Sequence, residues 1–133
     1  MTYLWVAIGS ALGGMARYWM TLAMAAVTGL GFPWGTILIN IVGSFVIGFF
    51  AVLTGYEGRV VVPLDARVFV MTGLCGGFTT FSAFSLQSFE LARDGRWLQA
   101  AANVGLSVLL CLGAVALGCA AAAAINAGVK TPG

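Results

Sequence analysis

Long apolar runs separated by short polar breaks make up almost the whole chain. Four of them extend from about Tyr3 to Val27, Trp34 to Thr54, Arg67 to Ala92 and Trp97 to Ile125, and about 20 apolar residues suffice for a helix to cross a bilayer. The connections are Thr28 to Pro33, with Gly and Pro, then Gly55 to Ala66, which holds most of the loop charge, then a tight turn from Arg93 to Arg96 around Gly95. The pattern predicts an all-α membrane protein, one domain over residues 1–133, with four transmembrane helices and no soluble domain. Ala23-Met24-Ala25 looks like a cleavage site, but no basic segment precedes the apolar stretch, so it is read as the first span. Trp5, Trp34 and Trp97 lie near run ends, where amphipathic rings anchor at headgroup level.

The third run differs from the others. As one straight helix, Arg67 to Ala92 reaches about 39 Å, against a hydrocarbon core of roughly 30 Å, and it contains GGFTTFSAFS at residues 76–85. The glycine pair predicts a break at Gly76-Gly77. A break at membrane depth leaves backbone groups without helical partners, which is tolerated only inside protein or beside a cavity. Thr and Ser hydroxyls can cap the second half-helix, and freed carbonyls can hold a cation. Just downstream, Phe81, Phe84, Ser85 and Ser88 share a face, and ring edges carry partial positive charge. Two such edges beside hydroxyls can stabilise an anion without a fixed cation; the alternative is that the rings are bundle core.

Polar residues inside the other spans form stripes. Thr36, Asn40 and Ser44 recur every four residues in the second span, as do Asn103, Ser107 and Cys111 in the fourth, so each set lines one helix face. Such stripes serve either interhelical hydrogen bonds or a wet, ion-bearing track. Asn40 favours the track, because its amide brings two donors and an acceptor that all need partners. Gly9 and Gly13, followed by Ser10 and Gly14, and also Gly43, Gly48, Gly105, Gly113 and Gly118 read as close helix packing.

Composition narrows the classes further. The chain is 61% hydrophobic and 8% charged, whereas soluble domains carry about 25% charged residues, so lipid is its main solvent. The six basic residues, Arg17, Arg59, Arg67, Arg93, Arg96 and Lys130, are scattered, which excludes a phosphate-neutralising surface and hence nucleic acid. Cys75, Cys111 and Cys119 sit in apolar runs without metal-ligand spacing and read as small hydrophobes. Histidine is absent and Glu57, Asp65, Glu90 and Asp94 lie in loops or at a span end, so catalysis has no support. With four spans, Arg59, Arg67 and Lys130 fall on one side against Arg93 and Arg96 on the other. A bias of about one charge permits insertion in both orientations, and with it an antiparallel dimer; the alternative is that features other than these charges fix a single topology.

The run GLCGGFTTFSAFS, the upstream PWGTILIN followed by IVGS, and an Arg in the first span followed by an aromatic together resemble the Fluc (CrcB) family of fluoride channels over essentially the whole chain. The resemblance implies a dual-topology homodimer of antiparallel four-helix subunits in the bacterial inner membrane, its third helix broken near the midplane, with two anion pores. It also implies a central structural Na+ held by the backbone carbonyls of Gly76 and Thr79 from both subunits. On the same basis Phe81 and Phe84 line the pore, Asn40 is its amide donor, Arg17 its vestibule arginine, and Thr36, Ser82, Ser85 and Ser107 belong to the hydroxyl track. The chain departs from the family pattern at Ala83, where many members carry Thr, and at Gln87, where many carry Glu. Asn103 and Cys111 stand where other members vary.

Two other classes compete. A small multidrug exporter is also a four-helix dual-topology dimer, but such a proton-coupled antiporter needs a carboxylate in its first span, and no Asp or Glu occurs in residues 1–56. A membrane assembly protein would account for the packing glycines and leave the broken helix with paired phenylalanines unexplained.

Overall fold

The computed structural model describes residues 1–128; Lys130, counted above among the orienting charges, lies outside them. Helices are the only regular structure among the described residues. They are α1 (Thr2–Thr28), α2 (Trp34–Leu53), α3 (Leu64–Val68), a π-helical segment (Phe69–Cys75), α4 (Gly76–Phe78), α5 (Phe81–Arg93) and α6 (Trp97–Ala127). From α3 to α5 the pieces form one interrupted rod, so the bundle has four rods in all, as the apolar runs predict.

Three of the rods, Trp34–Leu53, Leu64–Arg93 and Trp97–Ala127, are long and apolar enough to cross a membrane. This corrects the expectation of four such spans, and the helix left out is α1. At 27 residues α1 has the length, but Ser10, Arg17, Tyr18, Trp19 and Thr21 dilute its apolar character.

The glycines position the rods. A Cβ at Gly9 would lie 2.6 Å from the Phe69 carbonyl, and one at Gly13 would collide with the Leu74 carbonyl, so α1 lies backbone to backbone against the π-helical segment. On the other side of the bundle, a Cβ at Gly48 would sit 2.7 Å from the Val115 carbonyl and one at Gly118 would overlap the Phe45 carbonyl. This pairing brings α2 and α6 into backbone contact. Gly14, Gly105 and Gly113 have open space around them within the subunit, so packing inside one subunit accounts for only part of the set. Gly118→Leu is expected to remove most of the folded protein, because a branched side chain must push two backbones apart. Size-exclusion chromatography of the purified variant checks this, and Gly113→Leu, which meets nothing, serves as its control.

Rod ends are fastened by side chains. Arg67 Nη1 donates to the Thr54 carbonyl at 2.6 Å and also to its hydroxyl, satisfying a carbonyl that the end of α2 leaves unpaired. Arg96 Nη2 donates to the Gly31 carbonyl at 2.7 Å and ties the 29–33 connection to the α5–α6 turn. At the far end of α6, Asn126 bridges Val52 O at 3.1 Å and the Arg59 N–H at 2.8 Å. Two of the arginines counted as topology charges therefore also fasten the bundle, Arg67 at a helix end and Arg96 at a connection.

Candidate functional site

The break in the third rod falls at Thr79-Thr80, three residues beyond the predicted Gly76-Gly77. Gly76 keeps helical angles, φ −63° and ψ −36°, whereas Thr79 (φ −79°, ψ 160°) and Thr80 (φ −153°, ψ 114°) are extended. Packing explains the shift. A Cβ at Gly77 would stand 2.6 Å from the Ser10 carbonyl, so this glycine serves a close helix contact rather than backbone freedom. The two threonines, β-branched, favour extended backbone. Thr80 then caps α5 by accepting the Ala83 N–H on Oγ1 at 3.1 Å, the capping role predicted for the hydroxyls.

Asn40 closes the gap. In a continuous helix the Thr80 N–H would bond the Gly76 carbonyl; here it bonds Asn40 Oδ1 at 2.8 Å, while Asn40 Nδ2 donates to Thr80 O at 3.1 Å. Both ends of the amide thus replace lost helical partners, and the Gly76 carbonyl is released from the Thr80 N–H. One Nδ2 hydrogen remains beyond the bond to Thr80. Sequence reading assigned Asn40 to the anion path; its partnership with a backbone 40 residues away leaves no local signal.

An open cavity of about 400 Å³ surrounds this joint, lined among others by Asn40, Ser44, Cys75, Gly76, Thr79, Thr80, Phe81, Phe84 and Ser107. None of the described residues that line it is charged. The Phe81 and Phe84 rings stand 5.3 Å apart between centroids and 55° out of parallel, so their edges and faces point in different directions. Phe84 is buried at 8% exposure, while Phe81 projects from the subunit at 78%. Phe84 is therefore part of the core as well as of the cavity wall.

The other predicted site residues are placed elsewhere. Arg17 is on α1 and does not line the cavity. Ser82 Oγ lies 3.2 Å from Thr80 Oγ1 at the cap, and Ser85 Oγ donates to the Phe81 carbonyl at 2.9 Å. Thr36, buried at 5% exposure, lines a second crevice of about 330 Å³ with Gln87, Glu90, Asp94 and Arg96. Thr36 and Asn40 share a helix face yet open onto different cavities. Gln87 Oε1 is buried there without a hydrogen-bond partner among the described residues. A network that sequence reading left undefined joins α5 to α6: Asn103 Nδ2 donates to Ser88 Oγ at 2.8 Å, and Ser107 Oγ donates to Asn103 Oδ1 at 3.4 Å.

A polytopic helical bundle with an interrupted rod braced beside an uncharged open cavity has the construction of a membrane channel or transporter. The sequence specifies which kind. Residues 4–119 match the family described as CrcB-like protein, Camphor Resistance (CrcB), and the chain belongs to that family. It is 62% identical to a protein of Methylocella silvestris named fluoride-specific ion channel FluC, over 95% of this chain and 96% of that one. Proteins of the same name from Rhodospirillum rubrum and Paramagnetospirillum magneticum are 58% and 56% identical, covering 97% and 95% of this chain and 100% and 98% of theirs.

Proposed function

We propose that this chain is a passive, fluoride-selective channel of the bacterial inner membrane, acting as an antiparallel homodimer with two pores and exporting fluoride rather than catalysing a reaction. The relatives' name supports the ion. The single observation that carries the reading is the uncharged cavity in which a braced helix break, hydroxyls and a pair of tilted phenylalanines meet. Fluoride is small and strongly hydrated, so a pore must supply close donors in place of water without one site strong enough to trap it. Neutral amides, hydroxyls and ring edges meet both demands. An inside-negative potential then drives the anion outward with about 2.3 kcal/mol per 100 mV, so no coupled energy source is required.

The dimer and the Na+ belong to the same proposal. Gly76 is exposed and its carbonyl lacks the Thr80 N–H, and extended Thr79 lies outside the helical repeat. Backbone oxygens suit a hard cation, and two from each subunit would complete a site that one subunit alone leaves half-built. The ring of Phe81, exposed on the subunit beside this joint, is open to cover by a second copy. Within such a dimer α1, though less apolar, crosses with the rods it packs against.

Purified protein in liposomes loaded with fluoride or chloride tests the reading, with release followed by ion-selective electrodes. Rapid fluoride release with chloride retained is the expected result. Comparable release of both ions overturns selectivity and returns the chain to a less specific transport class.

A further inference from the structure

Four hydrogen-bonding groups between α5 and α6 have their direction set by the last of them. The Phe84 carbonyl can only accept, so Ser88, which bonds it at 2.8 Å, spends its single proton there. Ser88 Oγ is then an acceptor for Asn103 Nδ2 at 2.8 Å, which turns Asn103 Oδ1 toward Ser107. Ser107 is left as the donor, at 3.4 Å. Asn103 is 1% exposed and Ser107 5%, and Ser107 alone of the two lines the cavity with Asn40, Phe81 and Phe84.

Three other hydroxyls of the bundle place their protons on backbone carbonyls of their own segment. Ser85, Thr79 and Thr54 each donate to the carbonyl four residues back, at 2.9, 2.9 and 2.7 Å. Ser107 instead donates to a side chain, at 3.4 Å, a distance beyond the usual range of about 2.5–3.0 Å for an O–H···O bond. Its proton is held, and held weakly.

From this geometry we infer that Asn103 is a positioning residue that parks the Ser107 hydroxyl proton between ions and thereby sets how tightly the cavity holds fluoride. The inference rests on the reading of this cavity as the fluoride route. When an anion enters, Ser107 rotates about its Cα–Cβ bond, gives its O–H to the ion and leaves Asn103 Oδ1 unpaired. When the ion departs, the proton returns. Exchange of one hydrogen bond for another keeps the net gain small, which is the condition for an ion that must leave as readily as it enters. Asn103 and Ser88 never touch the ion. The anchoring by Ser88 matters because it stops the Asn103 amide from turning over and presenting Nδ2, a donor that could not accept the Ser107 proton.

The test compares four proteins: wild type, Asn103→Leu, Ser107→Ala and the double variant. Fluoride affinity is measured by calorimetric titration of the folded, purified dimer, and fluoride flux in liposomes. Removing the acceptor frees the Ser107 proton for the ion, so Asn103→Leu is expected to tighten fluoride binding by about threefold, the lower end of the scale for one hydrogen bond, and to slow flux per protein. In the Ser107→Ala background the same change should move affinity less than twofold. An Asn103 that merely holds α5 to α6 would lower the yield of dimer and leave affinity per folded molecule unchanged, which overturns the inference, as does an equal affinity shift in both backgrounds. Should leucine prevent folding, Asn103→Ala removes the acceptor without added bulk and carries the same comparison. Wild-type protein that neither binds nor conducts fluoride would instead overturn the functional reading, and this inference with it.

Discussion

Asn40→Leu is expected to abolish measurable fluoride flux, a loss of at least a hundredfold, and to weaken the fold at the same time. Leucine fills about the same space but offers neither Oδ1 to the Thr80 N–H nor Nδ2 to the Thr80 carbonyl, bonds of 2.8 and 3.1 Å. Thr80 is 9% exposed, so water cannot readily take over. Each buried group left unpaired costs about 1–3 kcal/mol, and with two of them the break either closes into continuous helix or the local structure opens. Closing it returns the Thr80 N–H to the Gly76 carbonyl and moves Phe81 and Phe84 off their positions. Asn40→Asp separates the two roles: it retains an acceptor for the Thr80 N–H and loses the donor to Thr80 O, while setting a carboxylate against an anion path. It should yield more folded protein than leucine with flux still lost. Liposome efflux and the thermal midpoint of the detergent-solubilised protein together check this. Normal flux from folded Asn40→Leu protein would remove Asn40 from both roles.

Fixing the orientation of the chain should have an effect of similar size. The 54–63 connection exposes Tyr56, Glu57 and Val61, while its fastenings run through Arg59, Asp65 and Arg67. Lysine at the three exposed positions adds strong positive-inside bias without disturbing those contacts. All copies should then insert one way up, leaving an antiparallel dimer without its partner, and protection of fluoride-exposed cells should fall at least tenfold. Co-expression with a variant carrying added lysines in the 29–33 connection, biased the opposite way, should restore it. Full protection by either variant alone would exclude the antiparallel arrangement.

Much of the bundle is visible in local patterns. Its rods follow from the apolar runs, and the cap on α5 from a Thr preceding a helical repeat, because burial in lipid and N-capping depend on residues close in sequence. That α1 packs closely on another helix is legible in Gly9 and Gly13 for the same reason, although only the structure shows that the neighbour is the third rod. Gly14, Gly105 and Gly113 show the limit: their spacing is equally suggestive, yet they face open space, since spacing does not say toward which neighbour a helix face is turned.

The sequence by itself determined that this is a helical membrane protein with an interrupted third rod and an uncharged polar stripe, and it carried the family motif whole. Tertiary structure alone decided where the interruption falls, because Gly77 is consumed by contact with Ser10 and the β-branched threonines yield instead. It also decided what Asn40 holds and why Thr36 opens onto a different crevice. Each of these depends on how a helix is rotated and how high it stands against rods distant in the chain. Four residues along one face rise about 6 Å, enough for a packed neighbour to close one cavity before the next begins.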